Sequence, residues 1–268
     1  MKRLRQFGLP IWSRWFRRWV LSKGSPLSLD PVKPVIVLAP HQDDETLGCG
    51  GTIASLRSAG TPVRVIFATD GAGSHEARHI ASKNLVSMRE AEAYSACSQL
   101  GVAKEECRFL RHPDGSLENR IPDLSNTIAE EVLRTGAEDV FVCSGFDAHP
   151  DHKALYQAAR GAMREAKFRL LQYPVWFWEY HCWCEGAPRF PFDARAVMRK
   201  QRSMLMENDV LVSEVSAELA TKRAALACHH SQMGTVPGGA DWPKLNDDFL
   251  RAFFDGKEVF LVARDGNE

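Results

Sequence analysis

Two short polar clusters carry the residue types that could bind a metal ion and move a proton. The first is His41-Gln-Asp-Asp-Glu45, and the second is His149-Pro-Asp-His152. In each cluster two ligand-type side chains are three positions apart, a spacing that can bring both to one side of a helical turn. Imidazole and carboxylate are ligands of Zn²⁺, and a catalytic zinc usually has three protein ligands and a water. The two clusters therefore predict a catalytic zinc site.

Each cluster directly follows an apolar run that is typical of a buried strand. These runs are residues 34–39 and 139–143, and helical patterns come after them. Strands that alternate with helices at these lengths predict a single-domain α/β fold with a Rossmann-like, doubly wound, mostly parallel sheet and helices on both faces. Ligands of such sheets bind at the carboxyl ends of the strands, so we expect the two clusters to meet there.

The other elements follow the same alternation, up to a less regular region between an aromatic stretch at 176–180 and residue 216. Predicted strands cover residues 34–39, 62–69, 107–110, 139–143, 170–175 and 258–262, and predicted helices cover 50–59, 82–100, 122–134, 150–166, 216–227 and 245–254.

Some of these polar and aromatic residues have simpler explanations. Capping of the next helix could be the sole role of Asp43 or Asp44. The aromatic stretch at 176–180 could stack on a sugar ring or belong to the core. The glycines of Gly48-Cys-Gly-Gly51 open a helix after a strand, but they lack the full G-x-G-x-x-G spacing of a dinucleotide site. We therefore predict no nucleotide cofactor.

The charge of the chain is balanced in total but not along its length. The 268 residues contain 34 basic and 34 acidic side chains, a balance that argues against a nucleic-acid partner. Seven of the basic residues and none of the acidic ones lie in residues 1–29. The seven cysteines are scattered and odd in number, which indicates a reduced compartment and a cytoplasmic protein.

Residues 1–29 are predicted to form a basic amphipathic arm ahead of a catalytic domain at residues 30–268. Pro10 can open a helix. The arginines of this helix and its large apolar side chains fall on opposite halves of the helical wheel. This pattern is typical of a helix at a membrane surface, which would place the protein at the inner face of the membrane. A helix that packs on protein is the alternative. The apolar half holds Ile11, Trp12, Trp15, Phe16, Trp19 and Val20, and the polar half holds Arg14, Arg17 and Arg18.

The same clusters resemble the PIG-L/LmbE-like zinc-dependent deacetylases, which remove an acyl group, usually acetyl, from the amine of a glucosamine-type sugar. The resemblance rests on Pro40-His-Gln-Asp-Asp-Glu45, on Leu47-Gly-Cys-Gly-Gly51 and on the second cluster. Weaker matches extend it over residues 34–232. Gln42 departs from the family, which more often has proline at this position.

The resemblance implies a role for each residue of the two clusters. Asp43 would be the general base, and His149, as an imidazolium, would stabilise or protonate the tetrahedral intermediate. The zinc ligands would be His41, Asp44 and His152.

Three further residues have open interpretations. Asp151 could orient His149 through a hydrogen bond, or it could be a carboxylate favoured at the start of a helix. By resemblance Arg89 and Asp114 lie where the family contacts sugar hydroxyls or a phosphate. Arg89 could instead be paired with Glu92 on a solvated helix face.

These inferences predict a zinc-dependent hydrolase that removes the N-acetyl group of an N-acetylglucosamine-type sugar in glycan or glycoconjugate biosynthesis. One alternative is a hydrolase of another N-acyl amide, such as a precursor of a thiol sugar. A second alternative is a membrane-docked protein that binds a glycan without turning it over. The complete set of ligand, base and acid residues argues against this last alternative.

Overall fold

The computed structural model describes residues 2–73, 82–184, 186–236, 242 and 244–264. The helices of eight or more residues are α1 (Lys2–Leu21), α2 (Asp44–Ser58), α3 (Ser82–Gln99), α4 (Ile121–Thr135), α5 (Pro150–Ala162), α6 (Ala194–Glu207) and α7 (Leu219–Ala227). Two short helices follow, α8 (His230–Met233) and α9 (Asp247–Leu250). The strands are β1 (Ser25–Pro26), β2 (Val35–Ala39), β3 (Val63–Thr69), β4 (Cys107–His112), β5 (Asp139–Cys143), β6 (Arg169–Tyr173), β7 (Asn208–Glu214) and β8 (Lys257–Ala263).

The strands form one sheet in the order β1-β7-β8-β6-β5-β2-β3-β4. All neighbours pair in parallel except β8, which is antiparallel to both β6 and β7. In the sheet, β3 is the neighbour of β2 on one side and β5 is its neighbour on the other side, with β6 next to β5. The strand order therefore reverses between β2 and β5, the position at which sheets of this kind bind ligands.

The two faces of the sheet carry separate apolar cores. Val35 and Val37 of β2 face a core shared with α2, α3 and α7, whereas Ile36 and Leu38 face a core shared with α4 and α5. Because successive strand side chains point to opposite faces, a strand covered on both faces must be apolar throughout. This explains the uninterrupted apolar run that predicted β2, and it confirms the predicted α/β fold with helices on both faces.

The less regular region of the prediction in fact contains a helix and a strand. Only Val197, Gln201 and Met204 of α6 are buried, so the helix has a narrow apolar stripe in a mostly polar sequence. The strand β7 is buried at only two of its seven positions and gains its place by pairing with β8 along its whole length. Both elements depend on neighbours distant in the chain, which local patterns do not reveal.

The N-terminal helix α1 packs on the body of the protein. Phe16 and Val20 are buried, but Ile11 and Trp15 are 60% and 45% exposed. The predicted apolar half therefore divides into an inner and an outer stripe. Arg17, predicted on the polar half, is buried and pairs with Asp255, because it lies beside Phe16 at the edge of the inner stripe. No helix in the described part of the chain has both the length and the apolar character needed to cross a membrane.

Candidate active site

The first cluster occupies the connection between β2 and α2. The His41 N–H donates to Asp44 Oδ2 at 3.0 Å, and His41 Nδ1 lies 3.2 Å from the same oxygen. Asp44 is the first residue of α2, where the helix dipole favours a carboxylate. The predicted helix at 50–59 therefore begins six residues too late, and the three-residue spacing does bring His41 and Asp44 together.

The second cluster meets the first because β2 and β5 are adjacent parallel strands. His149 caps α5, and its Nδ1 accepts the Asp151 N–H at 3.2 Å. His152, in the first turn of α5, places Nε2 at 3.3 Å from Asp44 Oδ2. The rings of His41 and His149 are 4.6 Å apart. The predicted zinc ligands thus converge on one carboxylate oxygen of Asp44.

The donor atoms of this cluster suit a divalent cation. His152 Nδ1 lies 2.8 Å from Asp147 Oδ2, so the neutral ring that a metal would bind keeps its proton on Nδ1 and presents the lone pair of Nε2 to the cluster. Against the effect of burial, Asp44 and Asp147 raise the pKa of His152 to about 9, so a metal would bind in competition with a proton. Within the described part of the chain, the buried Nε2 has no hydrogen-bond partner. Ligand atoms of His41, His149 and His152 lie within 4.8 Å of one another, as do those of Asp44, Cys143 and His152. Imidazole nitrogen and carboxylate oxygen atoms in this arrangement fit zinc.

Asp147 contacts the cluster, although no pattern in the sequence pointed to it. Its buried carboxylate contacts His152 and also accepts the N–H groups of Val175 and Phe177, at 3.2 and 2.7 Å. A histidine that ligates a metal usually donates its other N–H to a carboxylate, and this rule could have prompted a search for an acid near His152. Asp147 lies five residues earlier, in the loop between β5 and α5.

The backbone of Asp43 is held in an unusual conformation. Its φ of 143° is rare for any residue other than glycine, and such conformations cluster at functional sites. The Asp43 N–H donates to Glu45 Oε2, and Arg89 donates to the carbonyl of Gln42 at 2.7 Å. Burial and the neighbouring Asp44 raise the pKa of Asp43 to about 7, although Arg89 opposes this shift.

Arg89 lies behind Asp43 and not on a solvated helix face. Only 1% of the residue is exposed, so the alternative of a pair with Glu92 on a solvated helix face does not hold. The guanidinium donates to the carbonyls of Gln42 and Gly71, and it is 3.7 Å from Asp43 Oδ1. The side of α3 that carries Arg89 faces the loops that follow β2 and β3. The sequence did not reveal this burial because it depends on how α3 packs.

Asp151 and Asp114 both contact His41. Their carboxylates lie 3.3 and 3.1 Å from His41 Nε2. Asp151 was expected to orient His149 or to favour the helix start, and its carboxylate does lie in the first turn of α5. Its oxygen atoms accept the N–H groups of Gly115 and Leu117, and one of them lies within 4.8 Å of a ring nitrogen of His149. The hydrogen bond between Asp151 and His149 is the one that the Asp151 backbone N–H donates.

His149 has the electrostatics of a neutral imidazole. Burial, followed by the positive charges of His41 and His152, lowers the pKa of His149 to about 4. Because its Nδ1 accepts the Asp151 N–H, the proton of the neutral ring lies on Nε2. The neutral ring can therefore donate a hydrogen bond from Nε2, and the role of His149 as an imidazolium stays a prediction.

A buried ion pair supports the helix that carries Asp44. The helix α2 is interrupted at Cys49, where φ is −143°. Before the interruption, Lys222 Nζ donates a hydrogen bond to the Leu47 carbonyl at 2.8 Å. After it, the Glu258 carboxylate accepts the N–H groups of Gly51 and Thr52. Lys222 and Glu258 are themselves 2.6 Å apart. The pair therefore satisfies backbone groups on both sides of the interruption.

Glycine in the first motif allows close packing of α2 on the sheet. A Cβ atom at Gly48 would lie 2.0 Å from the ring of Tyr173, on β6. Tyr173 is fully buried and its hydroxyl donates to the Leu38 carbonyl of β2. A larger residue at position 48 would therefore push the start of α2, with Asp44, away from the strand ends.

Comparison with known proteins places these motifs in a family. Residues 36–163 match the family model PIG-L, GlcNAc-PI de-N-acetylase. The chain is 27% identical over 205 residues to the probable N-acetyl-alpha-D-glucosaminyl L-malate deacetylase 2 of Bacillus cereus, which covers 74% of this chain and 83% of that protein.

Solved structures share the fold at lower identity. The zinc-inhibited form of teicoplanin deacetylase superposes with a TM-score of 0.62 at 18% identity, over 88% of this chain and 100% of that one. The 4-carboxy-2-hydroxymuconate hydratase of Pseudomonas putida KT2440 has a TM-score of 0.60 at 16% identity, over 88% and 99%. Since one neighbour is a hydratase, the fold alone does not determine the reaction.

Both polar clusters lie inside the matched residues, so the family predicted from the motifs is confirmed. The curated relative in Bacillus cereus is named as a deacetylase of a glucosaminyl compound, in agreement with the family description. Residues 36–163 of the chain therefore carry a PIG-L domain.

Proposed function

We propose that this protein is a metal-dependent hydrolase that removes the N-acetyl group from an N-acetylglucosamine-type sugar. The observation that carries the proposal is the meeting of His41, Asp44 and His152 beside Asp43 at the point where the strand order reverses. This combination of donor atoms and a buried carboxylate fits amide hydrolysis. The names of the family and of the curated relative supply the substrate class.

We propose zinc as the metal, with His41, Asp44 and His152 as its ligands. When bound, zinc supplies a Lewis acid that polarises the acetamide carbonyl and lowers the pKa of water. The nitrogen and oxygen donors support this choice. So does the hydrogen bond from His152 to Asp147, because it orients the lone pair of Nε2 toward the cluster.

Asp43 would act as the general base and then as the acid. Its carboxylate would take a proton from the attacking water and return it to the amine that leaves. Burial raises the pKa of Asp43 above the usual range of a carboxyl, which favours both the uptake and the release of a proton near neutral pH. Arg89, which is buried behind Asp43, would hold the carboxylate in place, so we propose a positioning role for Arg89 in preference to a sugar contact.

His149 would stabilise the oxyanion that develops on the carbonyl oxygen. Its neutral ring can donate from Nε2 while Nδ1 stays hydrogen-bonded to the backbone of Asp151. Asp151 would serve the site through His41, whose Nε2 it contacts. Asp114 would contact a sugar hydroxyl. Burial raises the pKa of its carboxyl, but hydrogen bonds from His41 and a backbone amide outweigh this effect and lower the pKa to about 2. Asp114 is therefore an ionised hydrogen-bond acceptor.

Acetate release from a panel of N-acetylated compounds tests the proposed reaction. The panel should contain N-acetylglucosamine, N-acetylglucosaminyl malate, an N-acetylglucosaminyl inositol and N-acyl amino acids. We expect acetate from the sugars only, loss of release on treatment with a chelator, and recovery when zinc is returned. Turnover of the amino acids alone would favour another amidohydrolase, and hydration of an unsaturated acid without acetate release would contradict the proposal.

We also propose that the outer stripe of α1 contacts an anionic membrane surface from the cytoplasmic side. Support comes from the exposed Ile11 and Trp15, from the exposed Arg14 and Arg18, and from cysteines that are all free. The boundary between residues 1–29 and 30–268 remains a prediction.

Sedimentation with vesicles tests this contact. The full-length protein should sediment with vesicles that contain phosphatidylglycerol and much less with pure phosphatidylcholine. The double variant Ile11→Glu/Trp15→Glu should lose this binding, whereas Val32→Glu should keep it, since Val32 is exposed but lies outside α1. Equal binding by both variants would contradict the proposal.

A further inference from the structure

The orientation of His152 depends on a segment that follows β6. The Asp147 carboxylate that contacts His152 Nδ1 receives one hydrogen bond from the Val175 N–H and a shorter one, at 2.7 Å, from the Phe177 N–H. Asp147 is fully buried, so these groups and no bulk solvent determine where its oxygen atoms lie. A displacement of the 175–177 backbone would therefore move the carboxylate and rotate the imidazole of His152.

This segment is a short 3₁₀ turn and is not held by the ladder of the sheet. It spans Trp176–Trp178, beyond the end of β6. Its side chains pack on the inner stripe of α1, where the ring of Phe16 lies 5.3 Å from Phe177 and 6.1 Å from Trp178. Phe16 also contacts Trp183, in the next turn of the chain, at 5.4 Å. The buried aromatic ring of Phe16 thus fills the space behind the turn that holds Asp147.

The helix α1 is itself fixed to the body by a buried arginine. Arg17 donates to both carboxylate oxygens of Asp255, at 2.7 and 2.6 Å, and to the Lys257 carbonyl at 2.7 Å. Its guanidinium also lies 4.6 Å from the ring centre of Trp178. Because Arg17 follows Phe16 directly, these contacts hold the Phe16 ring at the turn.

We propose that α1 is part of the scaffold of the metal site, with Phe16 as a positioning residue for His152. The route is a contiguous set of contacts from the Phe16 ring to Phe177, from the Phe177 N–H to Asp147, and from Asp147 to the imidazole. This inference rests on the proposed metal site. It gives the arm a role in metal binding, whereas its charge pattern had suggested a role in location alone.

Metal affinity of the full-length protein tests the proposal without any substrate. The dissociation constant for Zn²⁺ is measured by competition with a chromogenic chelator. Loss of a group that orients a ligand typically costs ~10–100-fold in metal affinity, and we expect this loss for Asp147→Asn. We expect about a tenfold loss for Phe16→Ala, which acts through two further contacts, by way of Phe177 and Asp147. The rise in Tm on adding Zn²⁺ should shrink in the same variants.

Two controls separate positioning from a general loss of stability. Val20→Ala removes another fully buried side chain of α1 and should lower the Tm while leaving metal affinity unchanged. Trp15→Ala, on the outer stripe, should change neither. Phe16→Leu keeps an apolar side chain and should recover most of the affinity. If Phe16→Ala does not fold, Phe16→Leu is compared with Val20→Ala in its place and should bind the metal more weakly.

The results can contradict the proposal in two distinguishable ways. Wild-type affinity in the folded Phe16 variant, or an equal loss in Val20→Ala, would overturn the role of α1 while leaving the metal site in place. Wild-type affinity in Asp147→Asn would show that His152 is not held for a metal through Asp147. Absence of metal binding by the unmodified protein would instead remove the proposed function itself.

Discussion

The turnover of the Asp43→Asn variant is expected to fall by a factor of about 10² to 10⁴, because general acid–base catalysis contributes rate factors of this size. The variant should keep its metal. Asparagine removes the proton-accepting oxygen but retains the shape of the side chain. Because asparagine has the same branched shape as aspartate, the positive φ of 143° makes the same steric demand on both residues, so the loop should keep its conformation. The measurement is kcat for acetate release together with the zinc content of the purified variant.

A surface substitution controls for the loss of one carboxylate. Asp248→Asn removes an exposed acid on α9 and should have wild-type kcat and zinc content. Full activity of Asp43→Asn would rule out the role of general base. Loss of zinc together with activity would instead indicate that Asp43 is a metal ligand.

The Lys222→Met variant is expected to lower the free energy of unfolding by about 3–5 kcal/mol, since removal of one partner leaves a buried charge uncompensated. Glu258 is buried, and without Lys222 its partners among the described residues are the N–H groups of Gly51 and Thr52. The Leu47 carbonyl would also lose its donor. Urea unfolding of the full-length protein measures the change.

Two further variants test the cause of this loss. The double variant Lys222→Met/Glu258→Gln should regain a large part of the stability, because the uncompensated charge is gone. Lys257→Met breaks an exposed pair with Glu214 and should cost less than about 1 kcal/mol. A loss below that level in Lys222→Met as well would contradict the structural importance of the buried pair.

The residues of the two polar clusters and their meeting point were predictable from the sequence. The apolar runs before His41 and His149 encode buried strands, and the alternation of strands with helices encodes a doubly wound sheet. Ligand sites of such sheets lie at the strand ends, so local patterns were sufficient to bring the clusters together. The spacing within His41-Gln-Asp-Asp-Glu45 and His149-Pro-Asp-His152 also carried the resemblance to the family that the comparisons confirm.

The partners of these residues could not be predicted in the same way. The Asp151 carboxylate lies at hydrogen-bond distance from His41, 110 positions earlier in the chain. Arg89 lies behind Asp43 because α3 buries it, although its local pattern suits a solvated face equally well. The Asp147 carboxylate accepts hydrogen bonds from backbone N–H groups about 30 residues later in the chain. Such contacts depend on how elements pack, and no local period encodes them.

The N-terminal arm shows the division between sequence and structure most clearly. Its seven basic residues, its lack of acids and its amphipathic period are properties of the sequence alone. Only the tertiary structure decided which side of the helix is inside, since the stripe through Phe16 fits the aromatic turn after β6 and the stripe through Trp15 does not. Arg17 joined the buried side because Asp255, 238 positions away, offers it a carboxylate there. Amphipathic period determines that a helix has an apolar face, but the shape and charge of the surface it meets determine which residues of that face are buried.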